Sequence, residues 1–261
     1  MIIDFHAHAF PDELALKTVP LLAEKGGITA TLDGTIKSLI ASMQRAGISR
    51  SVLGSIATRP GQFTTIMKWV TKIRSPQIEP FPSFHPADPD MLEQIKTIHS
   101  QGFKGIKLHP YYQEFKIDEQ RLFPAYELMA DLGLILLMHS GFDIGFPHLR
   151  IAEPQRTANI IKRFPKLKLV AAHLGGWQLW DEVKKFLVGK NVYLDLAFSL
   201  DFLSVNEARA IITNHPPDRI LFGTDTPWAD QEQEIENLRK LNLENELEKN
   251  ILGKNGEKLL N

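Results

Sequence analysis

The 261-residue chain contains no cysteine. Disulfides and thiolate-held metals are thereby excluded, so any ion must be bound by His, Asp, Glu or a modified Lys. The same absence points to a cytoplasmic location. Charge of one sign is also missing: 30 Lys and Arg stand against 31 Asp and Glu, a formal net charge of -1. No bulk field recruits nucleic acid or an anionic membrane, and neither partner is expected. Long apolar runs are scarce. The longest, LGLILLMHSG at 132–141, is interrupted too soon to span a bilayer. The basic and apolar regions of a signal peptide are not seen, because residues 2–5 already read as a strand. Linkers, repeats and low-complexity tracts are absent as well, so a single domain over 1–261 is expected. What remains, 43% apolar and 23% charged, suits a globular chain with a large core.

Eight short apolar runs rich in β-branched residues cross the sequence: MIIDFHAH (1–8), SRSVLGSIA (49–57), IEPFPSFHP (78–86), FKGIKLHP (103–110), GLILLMHSG (133–141), LKLVAAHLGG (167–176), NVYLDLAFS (191–199) and RILFGTDTP (219–227). Such runs resemble parallel strands buried on both faces. Between them lie stretches with helical spacing. TIKSLIASMQRAG places Ile36, Leu39, Ile40 and Met43 on one face before Gly47. DPDMLEQIKTIHSQG closes at Gly102, RLFPAYELMADLG at Gly133, RTANIIKRFP at Pro165 and NEARAIITNHPP at Pro216; the C-terminal part from 230 onward is helical and charged on one face. Alternation argues for a parallel sheet with helical crossovers. Eight units in this length argue for a closed (β/α)₈ barrel, typically about 250 residues. An open doubly wound sheet usually carries a Gly-rich turn after its first strand. Here HAHAFPDE follows, with no glycine. The expected class is α/β, a single (β/α)₈ TIM barrel.

Nine histidines occur, at 6, 8, 85, 99, 109, 139, 148, 173 and 215. His6, His8, His85, His109, His139 and His173 lie near the C-terminal ends of their strand segments, and Asp225 takes that place in the eighth. In a barrel those ends converge on the face that carries active sites. Independent structural histidines have no reason to choose one end of every strand. In HAH, residues i and i+2 share a face, so His6 and His8 are expected to point into the barrel mouth, with Asp4 below them. Their Cα atoms should lie about 6.6 Å apart. Two imidazole nitrogens so placed can meet at one ion with bonds of about 2.0–2.1 Å. Two hydrogen-bonded core histidines are the plainer alternative; the spacing and the rim histidines favour the metal. His99, His148 and His215 fall outside this cluster.

Taken together, IIDFHAH in strand one, LLMHSG in strand five, VAAHLGG in strand six and ILFGTDTPW in strand eight resemble the amidohydrolase superfamily. GIKLHP in strand four and ILGKNGEKLL near residue 260 are similar to its amidohydrolase-2 branch. That branch contains aminocarboxymuconate semialdehyde decarboxylase-like and resorcylate decarboxylase-like enzymes, lactonases and many unassigned hydrolases. The resemblance covers essentially the whole chain. It implies one divalent ion held by His6, His8, His139 and Asp225, with His173 beside it acting on substrate. Three His and one Asp suit Zn²⁺ and would also accept Mn²⁺ or Fe²⁺. A second ion is not favoured. Such an ion lowers the pKa of water to about 7. Asp225 would take the water's proton and pass it to a leaving group, and His173 would polarise a carbonyl or hold the oxyanion.

The expected activity is a metal-dependent hydrolase cleaving an amide, ester or lactone of a small molecule. The alternative is a nonoxidative decarboxylase of an aromatic or unsaturated acid, since the same groups release CO₂ when a substrate carboxylate sits at the ion. Decarboxylases of the branch tend to be longer, and the loops after strands three and seven are short here. A deaminase would need a glutamate on the helix after strand five, and none comes before Glu153. A noncatalytic barrel would lose a ligand first, and none is lost. Lys107 shares a face with His109; in binuclear relatives a strand-four carboxylated lysine or glutamate bridges two ions, but pairing with a carboxylate or touching substrate is expected here. His109 and His85 each precede a proline and are expected to line the pocket, walled by Phe142, Asp143, Trp177 and Trp228. Arg150 and Arg156 are candidates for a substrate carboxylate. Trp69 or Trp180, packed outward, would suit a homodimer.

Overall fold

The computed structural model describes residues 1–146 and 149–261, so His148 lies outside the described residues. Each of the eight apolar runs contains a strand. In chain order the elements are β1 (Ile2–Ala7), α1 (Asp12–Gly26), α2 (Ile36–Ala46), β2 (Ile48–Gly54), α3 (Phe63–Ile73), β3 (Ile78–Phe81), α4 (Met91–Ser100), β4 (Gly105–Leu108), α5 (Phe123–Asp131), β5 (Ile135–Met138) and α6 (Pro154–Arg163). There follow β6 (Lys168–Ala171), α7 (Trp180–Phe186), β7 (Tyr193–Asp195), α8 (Val205–Thr213), β8 (Ile220–Leu221), α9 (Gln231–Lys240), α10 (Asn245–Lys249) and α11 (Asn255–Leu260). Local signals set several boundaries. Thr35 caps α2 by accepting the Ser38 N–H at 3.1 Å, and Ser204 and Glu207 form a reciprocal capping box on α8. Apolar periodicity gives no sign of α1. It carries Pro20 in its interior and buries only Ala15 and Val19.

All strand pairs are parallel, in two ladders ordered β1-β2-β3 and β4-β5-β6-β7-β8. Backbone bonds join the ladders on both sides. Lys107 N–H donates to Pro82 O at 2.9 Å, while Phe5 N–H donates to Phe222 O at 2.8 Å and His8 N–H to Thr226 O at 2.7 Å. The ring of strands is thereby closed, as expected for a (β/α)₈ barrel. No helix among the described residues is long and apolar enough to cross a membrane.

Two apolar layers hold the fold. The larger packs the outer faces of the strands against the helices. The smaller fills the barrel itself with Ile3, Phe5, Val52, Phe81, Ile135, Leu137, Val170, Ala172 and Leu221, together with Leu259 and Leu260 of α11. Phe5 and Phe81 meet edge to face, their centroids 6.0 Å apart. Burying one such side chain stabilises the fold by roughly 1.5–3 kcal/mol. Phe5→Ala should therefore lower unfolding free energy by about 3–5 kcal/mol, because a cavity adds to the lost transfer energy. Urea denaturation measures this; a loss below about 1 kcal/mol would show that the inner layer does not hold the barrel.

Candidate active site

The strands are shorter than the apolar runs, so most of the chemistry stands just beyond strand ends. His8, His109 and His139 each follow a strand directly, and His173 lies two residues past β6. Only His6 sits inside its strand. The pairing register of β1 with β2 is irregular between Asp4 and Ala7. That irregularity corrects the expectation for Asp4. Phe5 joins the barrel interior, and Asp4 turns to the other side, where its carboxylate accepts from Gln231 Nε2 of α9 at 2.8 Å, Thr224 Oγ1 at 2.7 Å, Thr224 N–H at 3.0 Å and His6 N–H at 3.1 Å. It braces the backbones of β1 and the loop after β8 rather than lying beneath the histidines.

His6, His8 and Asp225 converge. The two Nε2 atoms are 3.2 Å apart, and Asp225 Oδ1 lies 3.3 Å from the first and 3.2 Å from the second. Their hydrogen bonds fix which nitrogen is free. His8 Nδ1 faces Gly54 O at 2.9 Å; a carbonyl only accepts, so that nitrogen carries the proton. Lys107 Nζ, a donor, meets His6 Nε2 at 2.9 Å, which leaves the His6 proton on Nδ1, facing Asp195 Oδ2 at 3.1 Å. Both Nε2 atoms and a carboxylate oxygen thus converge on one spot, where a bound ion would take the His6 lone pair from Lys107. This donor set fits a divalent ion of the Zn²⁺, Mn²⁺ or Fe²⁺ kind. Burial holds the His6 imidazole well below its ordinary pKa, and the Lys107 charge lowers it further. Gly54 is required for close approach: a Cβ there would stand 3.0 Å from Lys107 Cγ and 3.4 Å from His8 Cε1.

His139, expected as the fourth ligand, is not part of this trio. Its Nε2 faces Phe142 O at 3.2 Å and its Nδ1 faces His173 Nε2 at 3.0 Å. His173 Nδ1 in turn faces Ala197 O at 2.9 Å. Both carbonyls claim protons, so the two facing nitrogens each present a lone pair. That contact must hold a shared proton or receive a cation. His139 also groups with His109 and Asp143. The His109 and His139 rings stack 4.0 Å apart at 16°. Their lone pairs therefore run side by side instead of converging, which suits a hydrogen-bonded trio better than a chelate. His109 Nε2 lies 3.3 Å from Asp143 Oδ2. Two residues at the site occupy left-handed backbone, His173 at φ 59° and Asp225 at φ 66°, a strain that recurs at functional sites.

A cavity of about 830 Å³ opens above these groups, lined by His6, His8, Lys107, His109, His139, Phe142, Asp143, His173, Trp177, Asp225 and Trp228 among others. His85 is not among its lining residues. β3 ends four residues before it, and its Nδ1 is used in a turn, accepting the Ala87 N–H at 3.1 Å. Arg150 is paired with Glu182 at 2.5 Å, and Arg156 with Asp118 and Glu153 at 2.6 Å each, so both are already committed to protein carboxylates. Trp69 lines the cavity, and Trp180 is buried with its Nε1 donating to His173 O at 3.2 Å; neither supplies the outward face expected for a homodimer.

The amidohydrolase-2 family model, described as amidohydrolase, matches residues 3–261. The chain belongs to the amidohydrolase family. Among solved structures, the chain is similar to an uncharacterized TIM-barrel protein of Bordetella bronchiseptica, with 20% identity, 99% and 98% of the two chains covered and a TM-score of 0.77. It is similar also to 5-carboxyvanillate decarboxylase of Novosphingobium aromaticivorans, solved with manganese and 4-hydroxy-3-methoxy-5-nitrobenzoic acid, at 14% identity, with 100% and 96% covered and a TM-score of 0.74. A curated dihydroorotase of Pseudomonas syringae pv. syringae is 29% identical over 108 residues, covering 38% of this chain and 31% of that protein.

Sequence reading gives no site residue on β7, yet Asp195 is fully buried there. Besides facing His6, it accepts the N–H groups of His173 at 2.9 Å and Ala197 at 3.1 Å. Burial pushes its carboxyl up to about 7 and the Lys107 ammonium down to about 8. The available signal was a lone carboxylate in the apolar run NVYLDLAF. Gln113 was also missed; its Oε1 accepts the His109 N–H at 2.7 Å and its Nε2 donates to Phe84 O at 2.8 Å. Outer carboxylates that orient a ligating imidazole are worth about 10–100-fold in metal affinity. Asp195→Asn should weaken Zn²⁺ binding by that factor in competition against a chromogenic chelator. Unchanged affinity would show that the His6 ring needs no support from Asp195.

Proposed function

We propose that the protein is a metal-dependent hydrolase that cleaves an amide, ester or lactone of a small molecule, with Zn²⁺ as the ion and Mn²⁺ or Fe²⁺ as substitutes. The observation that carries this reading is the convergence of His6 Nε2, His8 Nε2 and Asp225 Oδ1 within 3.3 Å of one another, each imidazole locked by a partner on its other nitrogen. When bound, such an ion supplies a water deprotonated near neutral pH and a Lewis acid for the substrate oxygen. Asp225 keeps part of its side chain, 12%, open to the cavity. It is the group to accept a proton at the trio and pass it to the leaving group. His173 Nε2, whose lone pair faces His139 Nδ1, acts on substrate through a proton shared between the two rings, which it can offer to a developing oxyanion. Phe142, Trp177 and Trp228 wall the substrate, and Lys107 and His109 contact it from β4.

Decarboxylation is the second reading, favoured by the likeness to 5-carboxyvanillate decarboxylase. The same proton carriers would then protonate a carbon as CO₂ leaves. Esters, lactones and amides screened beside aromatic and unsaturated acids, with CO₂ monitored, separate the two. Hydrolysis without CO₂ is expected; CO₂ with no hydrolysis would replace the first reading by the second. Protein grown with Zn²⁺ or Mn²⁺ should carry about one ion per chain by elemental analysis and lose both turnover and thermal stability on chelation. Asp225→Asn should keep the fold and lose about 10²–10⁴-fold in kcat. Near-normal turnover in that variant would remove Asp225 from proton transfer.

A further inference from the structure

The imidazoles of the cavity gather at the strand ends, while Thr58, Arg59, Gln62 and Thr65 add polar groups on the α3 side. His6, His8, Lys107, His109, His139, His173 and Asp225 all come from strand ends, whereas α1 and α3 form the opposite walls. From α1 the lining residues are Leu14, Thr18 and Leu22, at i, i+4 and i+8 on one helical stripe. That stripe is about 12 Å long at 1.5 Å per residue. From α3 come Thr65, Ile66 and Trp69, and Ile28 follows α1. None of these five large apolar residues is fully buried, and Leu14 is 49% exposed although it faces the cavity. Meanwhile α1 buries only the small Ala15 and Val19 beneath it. The helix therefore turns Leu14 and Leu22 to an open cleft rather than to the core, while Leu16 and Leu21 face outward. A cavity of about 830 Å³ is near the upper end of small-molecule sites, which run to roughly 1,000 Å³. It leaves room beyond a single ring held at the trio.

We propose that the substrate is an amphipathic acyl compound, its scissile carbonyl at the trio and a medium-length apolar chain bedded between Leu14 and Leu22 on one side and Ile66 and Trp69 on the other. This rests on reading the trio as the reacting centre and names the substrate class for it. Each methylene that leaves water adds about fourfold to affinity. The zinc-loaded protein should be titrated calorimetrically with straight-chain carboxylates from acetate to decanoate, and assayed on the matching phenyl esters. Affinity should rise about two- to fourfold per methylene from butyrate to at least octanoate. The double variant Leu14→Asn, Leu22→Asn and the single variant Trp69→Ala should each flatten that slope to below about 1.5-fold per methylene. Leu16→Asn, on the same helix but 73% exposed and outside the lining, should leave it intact. Equal affinity for acetate and octanoate would overturn the proposal. So would a slope that survives in both cleft variants, or a flat slope accompanied by dimerisation through α1. If no phenyl ester is hydrolysed, the carboxylate titration still decides the cleft.

Discussion

Closure of the strand ring between β1 and β8 is the contact on which the rest depends. Residues 6 and 8 stand over two hundred positions from Asp225, and no local preference brings them together. Four backbone hydrogen bonds do so: Phe5 N–H to Phe222 O at 2.8 Å, Thr224 N–H to His6 O at 3.3 Å, and Asp225 N–H to His6 O and His8 N–H to Thr226 O, both at 2.7 Å. The Asp4 carboxylate ties the same seam from outside, holding a backbone N–H on each side. Since Asp225 sits in left-handed backbone at φ 66°, it keeps that geometry only while the seam is made. Position, not residue type alone, turns three common side chains into a converging trio.

Burial then sets the charge of each group. A low dielectric disfavours ionised forms, so His6, His109 and His139 are held well below their usual pKa and remain electron-pair donors at neutral pH. Lys107 and Asp195 feel the same penalty in opposite directions, and they flank the same imidazole. One side chain gives a proton toward His6 Nε2 and the other receives one from Nδ1. The ring is thereby fixed in orientation and tautomer without help from solvent. His173 and His139 are arranged differently, each anchored by a carbonyl so that their inner nitrogens oppose one another.

Much of this was legible in the sequence because it follows from period and position. Eight apolar runs at regular spacing specify eight parallel strands, and the i, i+2 spacing of His6 and His8 specifies one shared face. Asp225 was legible as the only strand-end aspartate in the eighth run. The side of Asp4 was not, because an irregular register in β1 switches the alternation between Asp4 and His6, and the sequence carries no local mark of it. The partners of His139 were not legible either. They depend on a ring rotation decided by Phe142 O and His173, neither of which has any spacing relation to a metal ligand. Asp195 was hidden in an apolar run that read as core. α1 escaped because its buried face is only Ala15 and Val19, too small to raise a period. Leu14 and Leu22 answer to the cavity instead.

Leu259 and Leu260 pack inside the barrel with Ile3 and Phe5. The innermost layer is thus assembled from residues about 255 positions apart in a 261-residue chain. Loop-closure entropy must be overcome before any of that burial is gained, and chains rich in such distant contacts fold slowly. A ribosome-bound chain that has exposed β1 through β7 would still lack the side chains that seat Phe5. The barrel is therefore topologically late: its outer layer of strands and helices can form piecewise as the chain emerges, but its centre can consolidate only when the two distant segments meet.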